Sequence, residues 1–314
     1  MPDRPILPAR LPARPFSGLP ICRDLAHIEA AALILGAPIA TLYPSVGAFA
    51  AKSPAAIRDA MTSTKLGHYD FEIDGSLLED AFGPAMDAGD LVTDEADFAR
   101  NRAVITAAVR QILDAGAVPI VLGGDDSVPI PVLQAYEGRG PLTILQIDAH
   151  IDWRDEVNGE RYGLSSNMRR ASEMRWVENI FQVGMRHVGS ARRGEYEEAL
   201  DWGARIITAR QVFREGIDCA IDLIPPSGDV YIAFDCDSLD CSIMPAVMGP
   251  TPGGLSYWDV VEMVHGAANR GNLVGFSIVE FAPDRDVDGH AAHLAGRITL
   301  NAVAAAARKR CSPG

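Results

Sequence analysis

The chain has 314 residues, of which 48% are hydrophobic and 22% charged, the balance of an ordinary water-soluble globular protein. A formal net charge of −14 argues against nucleic acid or an anionic membrane as partner and is compatible with a cationic small molecule. The five cysteines (Cys22, Cys219, Cys236, Cys241, Cys311) are odd in number and lack CxxC pairing, which argues against a disulfide framework or a zinc ribbon and favours reduced thiols in a cytoplasm.

In chain order, residues 1–20 carry six prolines and no apolar signal-peptide core, and so read as an extended arm lying on the surface or on a neighbouring subunit. Strands are expected at 31–38 (AALILGAP), 117–122 (AVPIVL), 142–147 (LTILQI), 179–184 (NIFQVG), 204–208 (ARIIT), 229–234 (DVYIAF) and 273–280 (LVGFSIVE). These runs are short, continuously apolar and bounded by Gly, Pro or Asp, as suits strands buried on both faces of a parallel sheet. Helical spacing covers 95–116, ending on Gly116, and 256–271, opening on Ser256 as N-cap; an alanine-rich helix covers 289–310. No stretch approaches the unbroken apolar length of a membrane span.

The strand ends carry the chemistry, because ligands of open parallel α/β sheets collect beyond the carboxyl ends of the strands. AVPIVL runs into GGDDS, LTILQI into DAHID and DVYIAF into DCDSLD, while LVGFSIV finishes on Glu280. Any one of these is also ordinary turn chemistry, since Gly tolerates positive φ and Asp bonds its own backbone. DAHID, however, places Asp148, His150 and Asp152 at alternate positions, which would share one side if the strand continued. Asp126, Asp148, Asp152, Asp235 and Asp237 gathered without a cation would repel and take up protons, whereas two divalent ions would neutralise most of the charge. Oxygen-rich ligation with one imidazole suits Mn²⁺, with nickel, iron or cobalt also compatible, and metal-activated water is the natural nucleophile. His27, His68, His187, His265, His290 and His293 are scattered, Arg169 and Arg170 read as a solvated helix face, and Cys236 and Cys241 read as small buried thiols.

Taken together, the motifs FSGLP, SPAAIR, GGDDS, DAHID, QVGMR, FDCDSLD, PAVMGPTPGGLSY and SIVEFAPDRD resemble, in order and spacing, the ureohydrolase family of arginases, agmatinases, guanidinobutyrases, proclavaminate amidinohydrolase and formimidoylglutamase. The chain is most similar to its bacterial agmatinase-like branch. The resemblance implies a three-layer α/β/α sandwich on a mainly parallel sheet, with residues 21–314 as one ureohydrolase domain behind the arm. It implies trimers or hexamers, with a paralogous subunit as an alternative partner. It also implies two Mn²⁺ ions, or nickel in some members, holding a hydroxide that attacks a guanidinium carbon to release urea and an amine. On that pattern Asp148, Asp152 and Asp235 share the metals, His150 and Asp237 hold the second metal, and Glu280 pairs with the substrate guanidinium.

Two positions depart from the pattern. Where the family reads GGDHS, with the histidine on the first metal, this chain has Asp126; where a proton-moving histidine is expected, it has Leu164. Asp126 reaches as far as a histidine bound through its nearer ring nitrogen, but it makes the centre formally −1 instead of neutral. Leu164 cannot move a proton, which leaves water, Asp155 or Glu156 to do so. A milder change is Cys241, where the family usually has Pro. The acids of WRDEVNG, Asp155 among them, are expected at the pocket mouth beside Leu164, favouring a substrate with a second positive group such as agmatine. The resulting expectation is a binuclear amidinohydrolase with an altered first-metal ligand. The alternative is a catalytically impaired subunit of the same fold.

Overall fold

A computed structural model describes residues 9–79, 81–187, 189 and 191–308. Nine strands form one sheet: β1 (Ala9–Arg10), β2 (Ala32–Ala37), β3 (Ala85–Leu91), β4 (Val118–Gly123), β5 (Leu142–Ile147), β6 (Val177–Met185), β7 (Arg205–Thr208), β8 (Asp229–Asp235) and β9 (Asn272–Val279). Their order is β1-β3-β2-β4-β9-β8-β5-β6-β7, and every pairing is parallel except β1 with β3. The helices are α1 (Ser53–Ala60), α2 (Phe98–Asp114), α3 (Pro129–Gln134), α4 (Asn167–Ser172), α5 (Arg193–Trp202), α6 (Ala209–Glu215), α7 (Asp218–Ile221), α8 (Tyr257–Arg270) and α9 (His290–Ala307).

The apolar runs become strands because both faces of the sheet are covered. Along β5, Leu145 and Ile147 enter one core while Leu142 and Ile144 enter the other. The first core is closed by α8 and the alanine-rich α9, the second by α2 and α3. The result is the expected three-layer α/β/α sandwich on a mainly parallel sheet. All seven expected strands form, as do the three expected helices; the tail of the last one, beyond residue 308, lies outside the described residues. Among the described residues no helix is long and apolar enough to cross a membrane.

Two strands were not expected. β3 reads AMDAGDL, too polar for the apolar-run criterion, and is stabilised from outside the strand: buried Arg58 of α1 donates through Nε to Asp87 at 2.8 Å and also pairs with Asp90. β1 lies within the anticipated arm. Rather than only lying on the surface, the described part of that arm joins the sheet at Ala9–Arg10 and buries Phe16 completely, with its N–H on Asp87 Oδ2 at 2.9 Å.

The arrangement that matters for function is β4-β9-β8-β5. These four strands are consecutive neighbours in the sheet, and their carboxyl ends carry Asp125 and Asp126, Glu280, Asp235 and Asp237, and Asp148 and Asp152.

Candidate metal centre

At the end of β4 the chain turns at Gly124, where a Cβ would stand 2.0 Å from the Pro38 carbonyl oxygen; only glycine fits this approach. The turn buries both aspartates, Asp126 lining the cavity at the sheet end and Asp125 behind it. Asp125 accepts from Ser127 N–H at 3.1 Å, its Oδ2 has no partner, and burial pushes its carboxyl up to about 6. Glu280 follows β9 at φ +66° and locks onto the same turn: its N–H donates to Gly124 O at 2.8 Å, and its Oε1 accepts Asp126 N–H at 2.9 Å.

After β5 the chain does not continue as a strand. Asp148 Oδ1 accepts His150 N–H at 2.6 Å, a side-chain-to-backbone turn, and Asp152 sits at φ +44°. Asp148, His150 and Asp152 therefore converge through a turn, which corrects the strand-alternation expectation while leaving the residues together. Gln146 fixes both carboxylates, donating to Asp148 at 2.7 Å and Asp152 at 2.9 Å, and is itself held by Gln182 Nε2 at 2.6 Å. After β8, Asp235 accepts Asp237 N–H at 2.6 Å, and Asp237 accepts Ala149 N–H at 3.2 Å. Arg186 holds this loop by donating to the carbonyls of Asp237 at 2.8 Å, Leu239 at 3.1 Å and Thr251 at 3.0 Å.

Two groups of ligand-type side chains result, Asp126–Asp148–Asp152 and Asp148–His150–Asp237, each with donor atoms within 4.8 Å of one another. Asp148 belongs to both. Asp235 stands outside these groups but lines the same cavity of about 210 Å³, together with Asp126, His150, Asp152, Asp237 and Glu280. Trp153, Arg154, Leu164, Ser165, Glu195 and Met248 form its walls.

Asp155 is not brought to this cavity. Its carboxylate accepts from Arg161 at 2.9 Å and Arg170 at 2.6 Å, on the outer side of the loop. Arg170 is correspondingly buried, not on a solvated face, because it is committed to Asp155 and Glu173. The acid that does reach the cavity wall is Glu195, in the first turn of α5, where its Oε2 accepts Arg192 N–H at 2.8 Å. No strand-end signal marks Glu195 in the sequence.

The electrostatics are those of acids without a counter-charge. Burial, and then the neighbouring carboxylates, push Asp126, Asp152 and Asp235 well above the ordinary range. Glu280 rises for the same reasons, with burial first and Asp125 next. His150 is the cation of the cluster: burial opposes its charge, but Asp148 and Asp237 win and push it up to about 12. Asp237 is held low: burial is the largest single effect and raises it, but the bond to His150, the charge of that imidazole and the Ala149 N–H together outweigh burial. One imidazolium cannot balance this many buried carboxylates, and hard oxygen donors with a single imidazole are a fitting set for two divalent cations.

The profile described as "Arginase family" matches residues 30–305. The chain belongs to the arginase family. Among relatives of this arginase-family chain, "Arginase 1, mitochondrial" of Oryza sativa subsp. indica is 31% identical over 291 residues, covering 88% of this chain and 82% of that protein. The N(1)-aminopropylagmatine ureohydrolase of Thermus thermophilus is 34% identical over 192 residues, covering 61% and 63% of the two chains. The solved structure of proclavaminate amidino hydrolase from Streptomyces clavuligerus superposes with a TM-score of 0.81 at 26% identity, covering 96% of this chain and 98% of that one.

Proposed function

We propose that this arginase-family chain hydrolyses a guanidino C–N bond of a small cationic compound, releasing urea and an amine, at a pair of divalent metal ions. The observation that carries this reading is the pair of three-ligand groups sharing Asp148, set in one cavity with Glu280. Asp126, Asp148 and Asp152 would hold one ion and Asp148, His150 and Asp237 the other, with Asp235 shared between them. Mn²⁺ is the proposed metal and Ni²⁺ the second choice. When bound, the ions supply a nucleophilic water at neutral pH.

The chain's own residues bind and orient. Glu280, fixed through Oε1 on Asp126 N–H, presents a carboxylate to a planar guanidinium and holds its carbon over the metal cluster. The wall itself does not select the rest of the substrate, because Glu195 is ion-paired there with Arg154 at 3.8 Å and with Arg192 at 3.4 Å; an agmatine-like skeleton is proposed on the net charge of −14 and on the likeness to an aminopropylagmatine ureohydrolase. Leu164 lines the wall with no transferable proton, and Asp155 and Glu195 are each engaged by two arginines, so solvent is the proposed proton source for the leaving amine. We further propose a homo-oligomer in a reducing cytoplasm; the four described cysteines are all free thiols.

The test is metal analysis after reconstitution with Mn²⁺ or Ni²⁺, followed by urea release from agmatine, arginine, guanidinobutyrate and guanidine. Fewer than about one ion per chain, with no urea from any compound, overturns the proposal. Leu164 favours one second reading, a metal-binding but catalytically impaired subunit. That reading predicts urea release only when the chain is paired with a homologue carrying histidine at both departing positions.

A further inference from the structure

Asn167, the first residue of α4, is completely buried, and its amide nitrogen is spent on one residue 41 positions away. Nδ2 donates to the Asp126 main-chain oxygen at 3.2 Å and to Asp126 Oδ2. The Asp126 main-chain oxygen can only accept, which fixes the nitrogen on that side of the amide. The other end of the amide, Oδ1, is buried without a hydrogen-bond partner. A buried amide that leaves its own acceptor orphaned costs free energy, and its one set of hydrogen bonds is to Asp126. The same segment is docked on another member of that group, Arg169 N–H donating to Asp152 O at 3.1 Å.

We propose that Asn167 is a positioning residue that occupies one carboxylate oxygen of Asp126 and leaves the other as a single donor atom for the first metal. A histidine offers one lone pair in a fixed direction. A free aspartate offers two oxygens and can bind through either or both. Tying Oδ2 to Asn167 removes that freedom and makes Asp126 a one-point ligand, so the departure at 126 and the residue at 167 act as a pair. The inference rests on the metal-centre reading above.

A double-mutant cycle tests it: the metal-stripped full-length chain is titrated calorimetrically with Mn²⁺ as wild type, Asn167→Ala, Asp126→His and the double variant. Wild type should bind two ions. Asn167→Ala should weaken one site about 10–100-fold, the effect typical of a lost outer partner of a metal ligand, and spare the other. In the Asp126→His background the same substitution should change neither site. An unchanged isotherm for Asn167→Ala overturns the inference, as does equal weakening of both sites or the same loss on top of Asp126→His, which marks a merely structural role. If Asn167→Ala does not fold, Asn167→Ser takes its place in the cycle. A wild type that binds no metal overturns both this inference and the function beneath it. The expected cycle with no urea from any variant overturns the function alone.

Discussion

Stripping and restoring metal across pH is the most demanding test of the centre. Asp126, Asp148, Asp152, Asp235, Glu280 and Asp125 all have carboxyls raised in the fold, so the metal-free native chain holds protons that the unfolded chain releases. A group of this kind contributes stability that is present below its unfolded value and lost as pH rises through its folded value. His150, raised from 6.5 to about 12, has the same sign above its ordinary value. Asp237, held low, contributes stability that is lost only in acid, below the window of interest. The chelated protein should therefore become less stable between about pH 5 and pH 8. Asp125 alone, moved from 3.8 to about 6, gives up roughly 1–2 kcal/mol over that range at about 1.4 kcal/mol per pH unit. Restoring Mn²⁺ at about a hundred times its dissociation constant returns about 2.7 kcal/mol per site, or roughly 5 for two sites. At about 2 °C per kcal/mol for a large chain, this raises the melting temperature by about 10 °C. Scanning calorimetry with and without chelator, at both pH values, reads each quantity. A chelated protein more stable at pH 8 than at pH 5, or a melting temperature indifferent to Mn²⁺, refutes the reasoning.

Other substitutions separate the roles. Glu280→Gln keeps an acceptor for Asp126 N–H but removes the charge that meets the guanidinium; kcat/KM should fall about 10- to 150-fold, the range of one charge-assisted hydrogen bond, with metal content unchanged. Leu164→His restores a titratable group to the cavity wall and should raise kcat by about 10²-fold, the low end for a positioned acid–base group; no rise would show that the leaving group does not await a proton there. Asp126→His removes one negative charge from the centre, so protons there are held less tightly and the acid limb of kcat/KM should move to lower pH. A limb that stays put or moves up contradicts this. Arg58→Met leaves Asp87 buried and uncompensated, and urea unfolding should show a loss of about 3–5 kcal/mol. A loss of about 1 kcal/mol or less would make the pair no better than a surface one.

What was legible in the sequence follows from which interactions are local. β4, β5, β8 and β9 could be read because a strand buried on both faces needs a continuous apolar run, and the acids at their ends stand out against it. β3 could not, because Asp87 and Asp90 become tolerable only when Arg58 arrives from α1. The DAHID spacing picked out three residues that do come together, but by another geometry: the Asp148 side chain turns its own backbone, which alternation along a strand does not anticipate. Asp155 was misjudged because its proximity in sequence said nothing of Arg161 and Arg170, which draw it outward. Glu195 and Asn167 come from helix starts with no motif around them. Gln146 and Gln182 did leave a signal, as long polar side chains flanked by apolar neighbours near the carboxyl ends of their strands.

The two departures act on different steps, and this gives the centre its particular character. On the proposed reading Asp126 would replace a ligand and keep a donor in place, with Asn167 bound to its second oxygen and Glu280 on its N–H. Leu164 alters the wall and puts no transferable proton at the position where the resemblance implies a histidine. The proposed reading therefore makes metal binding and turnover separable, in a way they would not be if a ligand had been lost outright. The buried carboxylates raise one another's pKa and weaken the metal-free fold, and a protein released from metal binding has no physical reason to keep Asp148, His150, Asp152, Asp235, Asp237 and Glu280 together. The cluster thus argues for cation binding in either reading of the function, and the proton at the leaving amine, not the metal, is where an active hydrolase and an impaired subunit part.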